Sequence, residues 1–117
     1  MIATVRDLPR DQRPLSEQFR IVSKQWGDAD NAAFLMDEMK TTVLAQRKAD
    51  LISINPKLSD AAAERMVKAD PEWEKYIREM CAHRSRANLL RQQLRYIEMR
   101  HREWISADAN ARKELHL

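Results

Sequence analysis

The clearest pattern in the chain is a set of apolar positions that recur at alternating steps of three and four residues from Trp73 to Leu115. Ten of the thirteen positions at this spacing are apolar, and no proline or glycine follows Pro71. The pattern predicts one long helix over residues 71–115 with a coiled-coil-like seam along one side. We expect the following seam residues to pack in the core or in an oligomer interface: Trp73, Tyr76, Met80, Ala87, Leu90, Leu94, Ile97 and Trp104.

An earlier apolar stripe with the same steps runs from Leu15 to Met36 and predicts a helix over about residues 15–52. Gly27 lies inside this stripe, where a glycine weakens a helix by about 1 kcal/mol. We therefore favour a bent or two-part helix. It must end before Pro56, because the residue in front of a proline is biased away from the helical conformation.

Two helix-start signals follow Pro56 in the sequence. Ser59 is a capping residue that predicts a short helix over residues 59–68. Asp70, followed by a proline and a glutamate, marks the start of the long helix. The predicted fold is therefore all-α, a long helical hairpin that forms a single helical domain over residues 14–117.

Other features of the sequence indicate the cellular location of the protein. Residues 1–13 carry five charged side chains and little apolar content, which predicts a mobile tail without the apolar region of a signal peptide. The longest apolar run has five residues, Ala32–Met36, so we expect no membrane-spanning segment. The single cysteine, Cys81, excludes an intramolecular disulfide and fits a reducing compartment, and we expect it to be partly buried. These features favour a cytoplasmic protein.

Apolar side chains off the seam predict self-association. A two-helix hairpin shields only a narrow strip, yet Ile77, Leu89, Tyr96 and Ile105 lie outside it. We expect a homo-oligomer, either a dimeric four-helix bundle or a larger assembly.

The most informative polar feature is a line of four arginines on the long helix. At 100° per residue they fall within about 20° of one line along the helix and extend over about 27 Å. Six arginines but only one acid, Glu98, lie between residues 81 and 102, in a chain of net charge +3. One interpretation is contact with the phosphates of a nucleic acid, and the other is ion pairing with acids of the first helix or of a partner chain. The line consists of Arg84, Arg91, Arg95 and Arg102, and the first-helix acids are Asp28, Asp30, Asp37 and Glu38.

No arrangement typical of catalysis, metal binding or cofactor binding is present in the sequence. His83 and His101 occupy seam positions and are interpreted as polar residues that set register. Trp26, Trp73 and Trp104 have helical spacing typical of a core, although an exposed indole beside arginines would stack on bases. One glycine cannot form a phosphate-cradling loop, and no nucleophile or zinc motif occurs. We expect a protein that is not an enzyme and carries no metal or cofactor.

Several helix-packing motifs occur together in the second half of the chain. They are the capping Ser59, the Ala63-Glu64-Arg65 turn, the start Pro71-Glu72-Trp73 with Tyr76, and Glu103-Trp104 followed by Ala109 and Arg112. Over roughly residues 59–114 this combination resembles short all-helical proteins encoded by bacteriophages and prophages in recombination or replication gene clusters. The resemblance implies an accessory role in DNA metabolism inside a bacterial host. It implies no catalytic residue.

Three functions are compatible with the sequence. The first is a non-enzymatic phage accessory protein that binds DNA, or a DNA-handling protein, through the arginine line. The second is a protein-interaction module that inhibits or modulates a host enzyme or defence complex without binding nucleic acid. The third is a structural or assembly protein of the phage particle. Salt-dependent oligonucleotide binding separates the first from the others, because phosphate contacts release counterions.

Overall fold

A computed structural model describes residues 14–115 of the protein, and helices make up 93% of them. The three helices are α1 (Leu15–Ile54), α2 (Asp60–Ala69) and α3 (Pro71–Leu115). No strand occurs in the described range, so the all-α prediction is confirmed. The predicted tail over residues 1–13 lies outside the described residues.

α1 continues through Gly27, so the two-part alternative of the prediction is wrong, whereas the bent alternative stays a prediction. No glycine of the described chain has a positive φ, so Gly27 keeps ordinary helical geometry. The free-energy cost of one glycine in a helix is small compared with the stabilisation that comes from packing of the flanking turns. Such packing provides most of the stability of helices in proteins. The helix ends at Ile54, two residues beyond the predicted end, just before Asn55 and Pro56.

The two later helices start where their capping residues predict. The Ser59 hydroxyl accepts a hydrogen bond from the amide of Ala62 at 3.1 Å, so Ser59 is the N-cap of α2 and not its first residue. The Asp70 carboxylate accepts one from the amide of Glu72 at 2.9 Å in the first turn of α3. Each cap satisfies an amide that has no partner inside its helix.

Contacts group the chain into two compact units, each built from parts of α1 and α3. The turn unit comprises residues 28–86 and includes α2. Its buried apolar side chains are Ala29, Ala33, Ala63, Val67, Trp73 and Met80. The Tyr76 hydroxyl donates a hydrogen bond to the carbonyl oxygen of Met36 and thereby joins α3 to α1 in this unit. The prediction of a single domain over residues 14–117 stays a prediction.

The end unit combines residues 14–27 with residues 87–115. Its buried side chains are Gln18, Val22, Ala87, Leu90 and Ile97. α1 and α3 run antiparallel here: Trp26 lies beside Arg91, whereas Leu15 and Phe19 line a groove with Ile97 and His101.

The predicted seam of α3 is buried only as far as Ile97. Trp73, Met80, Ala87, Leu90 and Ile97 are buried, and Tyr76 and Leu94 are half-buried. Trp104, expected in a core, is 63% exposed in the single chain. α1 begins at Leu15, beside Ile97 and His101, so in the described part of the chain no helix lies opposite Trp104. The coiled-coil geometry and the oligomeric bundle stay predictions.

Candidate nucleic-acid interface

Arg84 lies in the turn unit and pairs with an acid of α1. One guanidinium nitrogen is 2.7 Å from a carboxylate oxygen of Asp37, and the two side chains are 49% and 50% exposed. Such an exposed pair contributes little stability, typically below about 1 kcal/mol, but it occupies the guanidinium. Arg84 therefore follows the ion-pair interpretation of the arginine line.

Arg91 lies in the end unit and packs on an aromatic ring. Its guanidinium carbon is 5.6 Å from the centroid of the Trp26 ring, a cation–π distance. Trp26 is half-buried, and its indole N–H is buried without a hydrogen-bond partner in the described chain. The contact makes Arg91 part of the packing around Trp26.

Arg95 and Arg102 differ from the first two arginines of the line. Both are exposed, and neither forms an ion pair or hydrogen bond with another residue in the range 14–115. Glu98, the one acid between them, is exposed as well. The two guanidinium groups therefore keep all their N–H donors available for an anion.

An exposed aromatic residue off the seam, Tyr96, directly follows Arg95 in the chain. Tyr96 is 61% exposed, and the guanidinium carbon of Arg100 lies 6.0 Å from its ring centroid. Leu89 and Met99 are exposed on the same side of α3, within about 80° of one another and of Tyr96 at 100° per residue. We call Leu89, Tyr96 and Met99 the α3 outer face. Its signal in the sequence is an aromatic residue off the seam with arginines at neighbouring positions.

Two other arginines of the end unit are held by acids on their own helices. Arg20 contacts the carboxylate of Glu17 at 2.6 and 3.1 Å. These hydrogen bonds and the charge of Glu17 raise the pKa of the Arg20 guanidinium. Arg112 pairs with Asp108 at 2.8 Å. The unpaired arginines of this unit are therefore concentrated on α3, around its outer face.

The remaining candidate residues form no second site. No three His, Cys, Asp or Glu side chains within residues 14–115 cluster as metal ligands. His83 is half-buried, whereas His101 is exposed and stacks on Trp104 with ring centroids 6.4 Å apart. Cys81 is exposed, which corrects the expectation of partial burial. None of the described helices is both long enough and apolar enough to cross a membrane.

No protein-family model matches the chain, and neither a curated protein nor a solved structure matches it significantly. The resemblance to short phage proteins therefore stays a prediction. It assigns no binding residue, so the arginines and aromatic residues above are the features from which a function can be argued.

Proposed function

We propose that the protein is a non-enzymatic phage accessory protein of DNA metabolism that binds DNA, or a DNA-handling protein, through the arginine-rich side of α3. One observation carries the proposal: Arg95 and Arg102 are exposed, and neither forms an ion pair with another described residue. The exposed ring of Tyr96, with the Arg100 guanidinium 6.0 Å from its centroid, lies about 100° to 120° farther round the same helix. Single-strand binding proteins combine basic side chains that follow the backbone with aromatic rings on which bases stack.

The arginines and the tyrosine have different tasks in this proposal. Arg95 and Arg102 are seven residues apart, about 10 Å along the helix axis, and would contact separate phosphates. Tyr96 would stack on an unpaired base, with Arg100 over its ring adding positive charge. Arg91 would join them through the N–H groups that its packing on Trp26 leaves unbound, and Arg84 only by giving up Asp37.

A protein-interaction module is the second candidate, and exposed apolar side chains favour it. Phe34 and Leu35 are 64% and 61% exposed on α1, and Leu89 and Met99 are exposed on α3. Such side chains beside charges are typical of protein contacts. In that case the partner is a host enzyme or defence complex, and the protein binds no nucleic acid. Either function places the protein in the cytoplasm of a bacterial host.

The test measures binding of labelled single-stranded and duplex oligonucleotides by fluorescence anisotropy at several salt concentrations. Changing Arg95→Gln together with Arg102→Gln should weaken binding and make the log–log salt slope shallower by about 0.7 to 0.9 for each lost phosphate contact. Both side chains are exposed and unpaired, so the free energy of unfolding should change by less than about 0.5 kcal/mol. Tyr96→Leu should weaken single-strand binding while leaving the salt slope unchanged.

The matched control is Arg78→Gln together with Arg112→Gln, which removes the same charge from arginines paired with Glu74 and Asp108. This control should retain most of the affinity. Equal losses in the two double variants would show that binding follows net charge and not the α3 site. A parent protein that binds no oligonucleotide would contradict the DNA proposal and favour the interaction module.

A further inference from the structure

α1 carries apolar side chains on all its faces at one place in the turn unit. The run Ala32–Met36 places five apolar residues in succession, which is more than a single neighbouring helix can cover. Ala33 is buried, whereas Phe34, Leu35 and Met39 are exposed. We call Phe34, Leu35 and Met39 the α1 outer patch. A helix that is apolar all round is normally buried on more than one side.

The charges before and within most of the α1 outer patch are negative, and Lys40 follows its last residue, Met39. Residues 28–38 contain four acids and no basic residue. Asp37 is paired with Arg84, but Asp28, Asp30 and Glu38 form no ion pair with another described residue. The patch is therefore an apolar surface with an acidic border.

The α3 outer face has the opposite character. Its apolar side chains Leu89, Tyr96 and Met99 are exposed, and arginines border them. None of these arginines forms an ion pair within the described chain; they are Arg95, Arg100 and Arg102. One exposed acid, Glu103, lies on the same side of the helix, four residues after Met99. The α1 outer patch and the α3 outer face thus match in apolar content and are opposite in charge.

From this complementarity we propose that the α1 outer patch of one copy docks on the α3 outer face of a second copy. Pairing two α1 patches would bring carboxylates together, and pairing two α3 faces would bring guanidinium groups together. The mixed pairing avoids both repulsions and supplies arginines that match carboxylates in bidentate geometry. Phe34 and Leu35 would then be shielded by Leu89, Tyr96 and Met99.

The docked copy would cover the arginines to which we assign DNA contacts. Oligonucleotides should therefore compete with self-association, a consequence that rests on the proposed function. The docking itself does not, because it follows from the two surfaces alone. Self-association is accordingly measured without nucleic acid.

The experiment is sedimentation velocity of the full chain over a range of concentrations and at two salt concentrations. The parent should associate, and less so at high salt. Asp28→Lys with Glu38→Lys, and separately Arg95→Glu with Arg102→Glu, should each raise the dissociation constant at least about tenfold. An equimolar mixture of these two variants should associate again, because the reversed patch of one copy then faces the reversed face of the other.

Two further double variants are measured in the same way, one as a charge control and one to test the apolar contact. Arg65→Glu with Glu79→Lys reverses exposed charges outside both surfaces and should associate like the parent. Phe34→Ser with Leu35→Ser tests the apolar contact without changing charge and should raise the dissociation constant by a similar factor. Helicity measured by circular dichroism confirms that each variant is folded.

Several results would overturn the docking. They are a monomeric parent, association that the charge reversals and the serine variant leave unchanged, and a mixture that fails to associate. A parent that is monomeric but binds oligonucleotide overturns the docking and leaves the proposed function intact. A parent that associates as described but binds no oligonucleotide contradicts the proposed function and leaves the docking intact.

Discussion

The two tyrosines of α3 show how burial assigns different roles to one residue type. Tyr76 is half-buried, stacks on Trp73 with ring centroids 5.8 Å apart, and donates a hydrogen bond to the carbonyl oxygen of Met36 across the turn unit. Tyr96 is exposed, and its hydroxyl makes no hydrogen bond within the described range. The first side chain supports the fold, and the second leaves its ring exposed to solvent.

Tyr76→Phe should lower the free energy of unfolding by about 0.5 to 1.5 kcal/mol, because it removes a partly buried hydrogen bond while keeping the ring. Tyr96→Phe is the matched control and should change this free energy by less than about 0.5 kcal/mol. Urea unfolding followed by circular dichroism measures both. Equal effects of the two changes would contradict a structural role for the Tyr76 hydroxyl.

At the scale of the element, Gly27 has the lowest helix propensity of any residue in α1. The helix passes through it, and a Cβ added at this position would meet no atom within 4 Å. No close approach or unusual backbone angle in the described chain requires a glycine here. The residue therefore lowers helix stability without a compensating contact.

Gly27→Ala should raise the free energy of unfolding by about 0.5 to 1 kcal/mol, because alanine loses less backbone entropy in a helix. Gly27→Pro should lower it by about 3 kcal/mol or more, because proline removes a helical hydrogen bond and clashes with the preceding turn. Thermal unfolding measures both changes. A destabilising alanine would show that α1 is not continuous at this position.

At the scale of the whole molecule, adjacent residues of α3 face either a core or solvent. Leu90 is buried in the end unit, whereas Leu89 belongs to the exposed outer face. Charge is divided as well: residues 28–38 are acidic, and residues 81–102 carry six arginines. A chain with small net charge thus carries two local surfaces of opposite sign.

Leu90→Ala should lower the free energy of unfolding by about 2 to 5 kcal/mol, the range for truncating a buried leucine. Leu89→Ala should change it by less than about 0.5 kcal/mol at low protein concentration, where self-association does not contribute. Urea unfolding of both variants measures the difference. A larger loss for Leu89 than for Leu90 would contradict the register of α3 in the end unit.

The helices could be predicted from the sequence because their signals are local. Ser59, Asp70 and the prolines mark starts and ends to within about two residues, and the spacing of apolar residues identifies the buried side of α3 up to Ile97. A division of α1 at Gly27 does not occur because the local free-energy cost of the glycine is smaller than the stabilisation from packing of the turns around it.

The arginines available in the candidate site could not be identified from the sequence, because contacts between α1 and α3 decide which of them are occupied. The Arg84–Asp37 pair joins residues 47 positions apart, and Arg91 packs on a tryptophan of the other helix. Trp104 is exposed because α1 begins beside Ile97 and His101, a fact about the opposite helix and not about the seam itself. Periodicity determines which side of a helix a residue occupies. Only the packing of helices that are distant in sequence decides what lies opposite that side, and so which arginines remain available to a ligand.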